Sequence, residues 1–308
     1  MTGAAVSRKA FFRFQIFSLV YCLAVIVWGA YVRATGSGAG CGDHWPLCNG
    51  QVIPTAPRIQ TVIEFAHRLS SGLSLVWVVI SFFWARKIAD RHSLVRTAAR
   101  WSLIAIILEA LLGAGLVLLK LVEFDQSVAR AVSISLHLVN TMFLLACLTS
   151  TLWLARDEGD FESPPRRFLP RDPSFWFSAG LFLLLGMSGA VTALGDTLFP
   201  SKSLADGLAA DFDRSSHFTV RLRFLHPILA TLWIGSVFYW SRKLEALEFS
   251  RVRNFLLGGV VLQFLLGILN WILMAPNWMQ LVHLLCADLV FIALWTSGVT
   301  HETRKSRF

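Results

Sequence analysis

Glu64, His67 and Arg68 fall within five consecutive residues, Glu64-Phe-Ala-His67-Arg68, where an apolar run begins that continues from Ile63 to Trp84. Ionisable side chains at that depth in a membrane cost about 2.5–3.5 kcal/mol each on insertion scales and are kept mainly for function. Glu64 and His67 are three residues apart, so a helix places them on one face. A neutral imidazole beside a carboxylate can bind a metal and move protons at the same place. One such histidine is read equally well as a hydrogen-bonded core residue, with Glu64 and Arg68 pairing at the interface. His137, His226 and His283 shift that balance, because each lies in an apolar run of its own.

The elements that must position them are membrane helices. The 308 residues are 55% hydrophobic and 15% charged, and mean hydropathy is +0.60. A span needs roughly 20 apolar residues. Eight runs qualify: Phe14–Val32, Gln60–Ala85, Trp101–Leu119, Ala131–Ala155, Ser174–Gly195, Phe218–Ser241, Asn254–Met274 and Trp278–Val299. The expected fold is an all-α polytopic membrane protein in contact with lipid. The first run is too long for a signal-peptide core and is read as a retained span.

The net charge of +9 does not indicate nucleic acid, because Lys and Arg collect in alternate loops. Arg8, Lys9 and Arg13 precede the first span, Arg86 to Arg100 follow the second, and Arg156 to Arg171 follow the fourth. Arg242 to Arg253 and the tail Arg304, Lys305 and Arg307 continue the alternation. That is the positive-inside pattern, with both termini cytoplasmic, and a bacterial cytoplasmic membrane is the expected location. Trp84, Trp101, Trp153, Trp176, Trp240 and Trp278 lie near span ends, as an aromatic belt would.

An internal repeat divides the chain. Gly29-Ala-Tyr-Val-Arg-Ala-Thr-Gly36 aligns with Gly189-Ala-Val-Thr-Ala-Leu-Gly-Asp196, Leu111-Leu-Gly113 with Leu265-Leu-Gly267, His67 with His226, and His137 with His283. Each half has four spans, an even number, so the repeat is parallel: two four-helix bundles, residues 1–155 and 174–308, joined by a linker at 156–173. The four histidines lie on the even-numbered spans, each within roughly ten residues of the outer face, at similar depth. Two imidazoles from facing helices of one half can ligate one iron. Heme suits such a pair better than zinc, since each half offers two nitrogen ligands in wide apolar surroundings. His67 with His137 forms one candidate site and His226 with His283 the other, against the alternative of four unrelated core histidines.

The halves differ in their charged neighbours. Arg68, Arg221 and Arg223 lie near the outer boundary, where a guanidinium can clamp a propionate or merely snorkel. Arg223 occupies the position of Glu64, and Pro227 that of Arg68, so a carboxylate poised beside a histidine exists only in the first half. Glu109, matched by Gln263, and Asp288 are two further intramembrane carboxylates, each expected to have a hydrogen-bond partner in the bundle. In the first outer loop Cys41 and Cys48 face the oxidising side, where a disulfide is expected rather than free thiols or a redox pair. No Cys-x-x-Cys-His run offers a covalent heme attachment. Cys22, Cys147 and Cys286 read as packing residues, and His44, His92 and His301 as solvated ones.

With these motifs in place the sequence resembles the heme A synthase family over nearly its whole length, from about Phe14 to Val299. The resemblance rests on the glycine-rich loop leading to Cys41 and Cys48, on Glu64-x-x-His67-Arg68, on Arg223-Phe-Leu-His226-Pro227, and on His137 and His283. It implies conversion of heme O to heme A for terminal oxidases, by two hydroxylations of the C8 methyl and loss of water from the gem-diol. Substrate heme is then expected at His67 and His137 with Arg68, and a resident heme B at His226 and His283 with Arg223. Glu64 matches the family's catalytic carboxylate and Cys41–Cys48 its outer-loop disulfide; heme O synthase is a candidate partner, and the electron donor is left open. Some members carry a second cysteine pair between spans five and six; Asp196–His217 here has none and is acidic instead. The competing readings are a two-heme electron-transfer protein that does not modify heme, and a parallel-repeat transporter.

Overall fold

The computed structural model describes residues 3–156, 168–245 and 250–305. The expected linker therefore lies largely outside the described residues, with 157–167 wholly so. Among the described residues ten helices run in order: α1 Gly3–Ala34, α2 Ile59–Ile88, α3 Leu94–Leu118, α4 Val128–Leu154, α5 Pro173–Leu198, α6 Leu204–Phe212, α7 Phe218–Arg221, α8 Leu225–Glu245, α9 Ser250–Ile272 and α10 Asn277–Lys305. Among the described residues there is no strand, and eight helical segments are long and apolar enough to cross a membrane. The chain is an all-helical, multi-pass membrane protein.

Local sequence sets the helix starts. Ser93, Ser127 and Ser203 accept backbone N–H groups at the beginnings of α3, α4 and α6. Asp172 does the same for α5, with Pro173 in the first turn where no amide is needed. Outward faces are apolar: Phe17, Val20, Leu69, Phe255 and Val261 are all exposed. Lipid is as apolar as these side chains, so helix association relies on small-residue packing and interhelical hydrogen bonds. Gln15 Nε2 donates to Ser81 Oγ at 2.6 Å, Trp240 Nε1 to Ser297 Oγ at 2.8 Å and Trp295 Nε1 to Ser150 Oγ at 2.8 Å, the last joining α10 to α4. Helices adjacent in sequence pack together, and α1, α4, α5 and α10 meet across the middle of the molecule.

Three expectations need correction. The sixth span is not one helix: α7 ends at Arg221 and α8 begins at Leu225. Pro227 has no amide to offer the carbonyl of Arg223 and its ring crowds that carbonyl, so the chain turns before it. Trp240 is fully buried against Phe175 and belongs to the core, not to an interfacial belt. His301 is 5% exposed and lies 5.1 Å from the Trp240 ring, because α10 continues past the apolar run and covers it.

Candidate functional site

Each of the four histidines lies against a glycine of the preceding odd-numbered span. A Cβ built on Gly29 of α1 would stand 2.9 Å from His67 Cε1, and one on Gly189 of α5 2.9 Å from His226 Cε1. On Gly113 of α3 it would stand 3.4 Å from His137 Nε2, and on Gly267 of α9 3.1 Å from His283 Cε1. At Gly29, Gly189 and Gly267 the rings thus occupy space that a larger residue would fill, whereas at Gly113 the contact is an ordinary van der Waals one. These are the glycines that mark the repeat in the sequence; what they touch needed coordinates.

One repeat-related pair of rings comes together. His226 and His283 have centroids 6.4 Å apart and ring planes at 78°. Two imidazoles sharing one metal through bonds of about 2 Å have centroids about 6 Å apart. His226 Nδ1 meets Ser188 Oγ at 3.1 Å, a partner that leaves the other nitrogen for a metal. His283 Nε2 lies 3.2 Å from Gln263 Nε2, and its Nδ1 is buried without a partner. In the other pair, His137 Nδ1 is 2.8 Å from Glu109 Oε1, and His67 Nδ1 is buried without a partner. Among the described residues no group of three or more His, Cys, Asp or Glu side chains converges. Imidazoles seated beside glycine backbone, two of them at a separation that one iron could bridge, fit heme.

The rims of the two pairs are built differently. Glu64 is 3% exposed. Its Oε2 accepts the Cys41 amide at 2.8 Å, and its Oε1 accepts Nε and Nη2 of Arg68. Arg68 in turn donates through Nη1 to the carbonyls of His44 and Leu47, inside the loop closed by the Cys41–Cys48 disulfide. Gly40 is obligatory there, since a Cβ would lie 2.4 Å from the Gln60 carbonyl. The loop therefore clamps the carboxylate from two sides.

At the other pair Arg223 takes the corresponding place. Its Nη1 donates to Asp196 at 2.8 Å and its Nε to Asp211 at 2.9 Å. Asp196 is in the last turn of α5 and Asp211 lies on α6, so the acidic segment pins a short helix over this rim; Phe212 and Phe224 stack beside it at 6.0 Å. Arg223 and Arg68 are both committed to protein carboxylates.

Sequence reasoning missed Arg33. From the end of α1 it donates to Ala193 O at 2.9 Å and Thr197 Oγ1 at 3.0 Å on α5, and to Gln280 Oε1 at 2.8 Å on α10. The signal available in the sequence was a lone arginine at the end of the first apolar run, in a loop otherwise poor in Lys and Arg. Glu109 finds the expected partners, Asn140 Nδ2 at 2.6 Å and Thr141 besides His137. Asp288 does not: it is fully buried and both carboxylate oxygens lack partners.

The fold and these side chains define a polytopic helical membrane protein whose paired histidines fit porphyrin iron. The family profile of COX15-CtaA, described as cytochrome oxidase assembly protein, matches residues 12–295, and the chain belongs to that family. It is 31% identical to the heme A synthase of Alkalihalophilus pseudofirmus over 300 residues, covering 92% of this chain and 95% of that one. A protein of Thermus thermophilus named protoheme IX farnesyltransferase is 40% identical over 316 residues, covering 99% of this chain and 51% of the relative. The heme A synthase of Shouchella clausii is 42% identical over 110 residues, 36% of each chain. The chain spans about half the length of its Thermus relatives.

Proposed function

We propose that this protein is a heme A synthase, which oxidises the C8 methyl of heme O to a formyl group by two successive hydroxylations. The buried, doubly clamped Glu64, three residues before His67 on α2, is the observation that carries this reading. His67 and His137, with Arg68 at the rim, hold the substrate heme. His226 and His283, with Arg223 at the rim, hold heme B, which supplies one-electron transfer when bound. Glu64 exchanges protons near the substrate and stabilises positive charge developing at the methyl carbon. The Cys41 amide and Arg68 fix where that carboxylate stands. The gem-diol left by the second hydroxylation loses water to give the aldehyde.

The same reading divides the chain into a parallel repeat, residues 1–155 and 174–308, in a bacterial cytoplasmic membrane. The Lys and Arg bias supports placing both termini in the cytoplasm and the disulfide loop outside. A Thermus relative twice this length that carries a farnesyltransferase name supports a heme O synthase as the partner that hands over substrate. Glu64→Ala tests the assignment: heme A, identified by extraction and mass, should disappear while both hemes stay visible spectroscopically. Undiminished heme A would sink the enzyme reading and leave a two-heme electron carrier.

A further inference from the structure

The two histidines of the N-terminal pair are held unequally. His137 Nδ1 is 2.8 Å from Glu109 Oε1, and Glu109 is fixed by Asn140 and Thr141. Asn140 and Thr141 follow His137 by three and four residues on α4, so the ring and its carboxylate are braced from one helix. A proton on Nδ1 shared with a carboxylate leaves the Nε2 lone pair free, fixes the ring's orientation and strengthens it as a ligand. That Nε2 is the atom facing Gly113.

His67 has no brace. Its Nδ1 is buried with no partner, so iron bound through Nε2 would bury an unpaired N–H, at a cost of about 1–3 kcal/mol. The other pair does not repeat this arrangement. Gln263 stands in place of Glu109 and meets His283 at Nε2, the wrong nitrogen for a brace. There the braced ring is His226, on a neutral serine hydroxyl.

We propose that Glu109 is a positioning residue that makes His137 the permanent iron ligand of the first pocket and leaves His67 as the ligand that lets go. Release breaks only the iron–His67 bond, the nitrogen keeps its electron pair, and no oxidant or reductant is consumed. His67 and Glu64 both lie on α2, so the position that His67 would vacate and the carboxylate belong to one helix. The inference rests on the heme-binding reading of the first pocket.

The test uses the full chain purified with heme bound, reduced with dithionite, and carbon monoxide as the probe. His67→Ala should keep first-pocket heme and bind carbon monoxide readily, whereas His137→Ala should weaken heme retention about 10–100-fold. Adding Glu109→Ala to His67→Ala should reproduce that loss. Adding Glu109→Gln instead should retain heme but lower the iron–histidine stretching frequency in resonance Raman spectra, which a purely structural role would not move. The spectrum of the His226–His283 heme in the same samples reports folding. Equal heme loss in the two histidine variants, or a stretch unmoved by Glu109→Gln, would overturn the proposal while leaving the pocket assignment intact. If neither histidine variant alters heme content, the heme reading of the pocket fails and this inference with it.

Discussion

The first and second histidine pairs share a floor and differ at the rim. All four rings press against glycine backbone, yet one rim is a carboxylate held by an arginine and a disulfide loop, and the other is an arginine held by two aspartates. A buried charge needs a partner wherever it sits, and each rim supplies one of opposite sign. Packing has been kept alike while charge has been inverted. On the function proposed above, ligand geometry sets what the pockets hold, and the rim sets what happens there.

The comparison breaks most cleanly at Glu64. Glu64→Gln should lower heme A output by about 100-fold or more, in the range of lost acid–base catalysis, whereas Arg223→Gln should leave turnover measurable and loosen only the second heme. Chromatography of extracted pigment, paired with redox titration, separates the two outcomes.

The floors come next. Gly29→Val should expel heme from the first pocket and Gly189→Val from the second, because each added side chain meets an imidazole that has nowhere to go. Heme content per chain should fall by half in either variant; a loss of both hemes from one substitution would show that the floors are not independent.

A smaller effect follows from the disulfide loop. Replacing Cys41 and Cys48 by Ser frees the carbonyls of His44 and Leu47 that hold Arg68, so activity should drop while the second heme's spectrum stays fixed. The double change Asp196→Asn with Asp211→Asn is the mirror experiment. It leaves Arg223 without a counter-charge, a loss of about 3–5 kcal/mol for a buried pair, read as earlier thermal release of the second heme.

The smallest effect lies away from both rims. Lys243 Nζ contacts both oxygens of Asp172 at 2.7 Å. Burial pushes the Asp172 carboxyl up, but hydrogen bonds from Lys243 and Ser174 outweigh it and hold it down at about 2. A carboxyl lowered on folding stabilises the fold fully above its ordinary value of 3.8, and that contribution is lost as pH falls through about 2. Lys243→Met should shrink this acid-range dependence, Ser174 keeping part of it, and cost no more than about 1 kcal/mol at neutral pH, since the pair is partly exposed.

The eight spans were legible because hydropathy is a property of the chain alone. Span six was read too smoothly, since its apolar content hid the turn that Pro227 imposes. Tertiary closure was invisible to any pattern. Nothing in the sequence tells that Trp240 and His301 meet in the core, or that Asp196 and Asp211 neutralise Arg223. Glu109 was visible as a buried carboxylate, but its ring partner sits 28 residues later on another helix. Asp288 shows the limit from the other side: its carboxyl is plain in the sequence, and that its two oxygens lack hydrogen-bond partners is not.

Arg33 follows Gly29 by four residues, and its acceptor Ala193 follows Gly189 by the same interval. One guanidinium thus rivets together the two rods on which His67 and His226 rest, a single turn above them. The spacing between the pockets becomes a mechanical constant, and on the function proposed above an electron crossing from one iron to the other meets the same gap at every turnover.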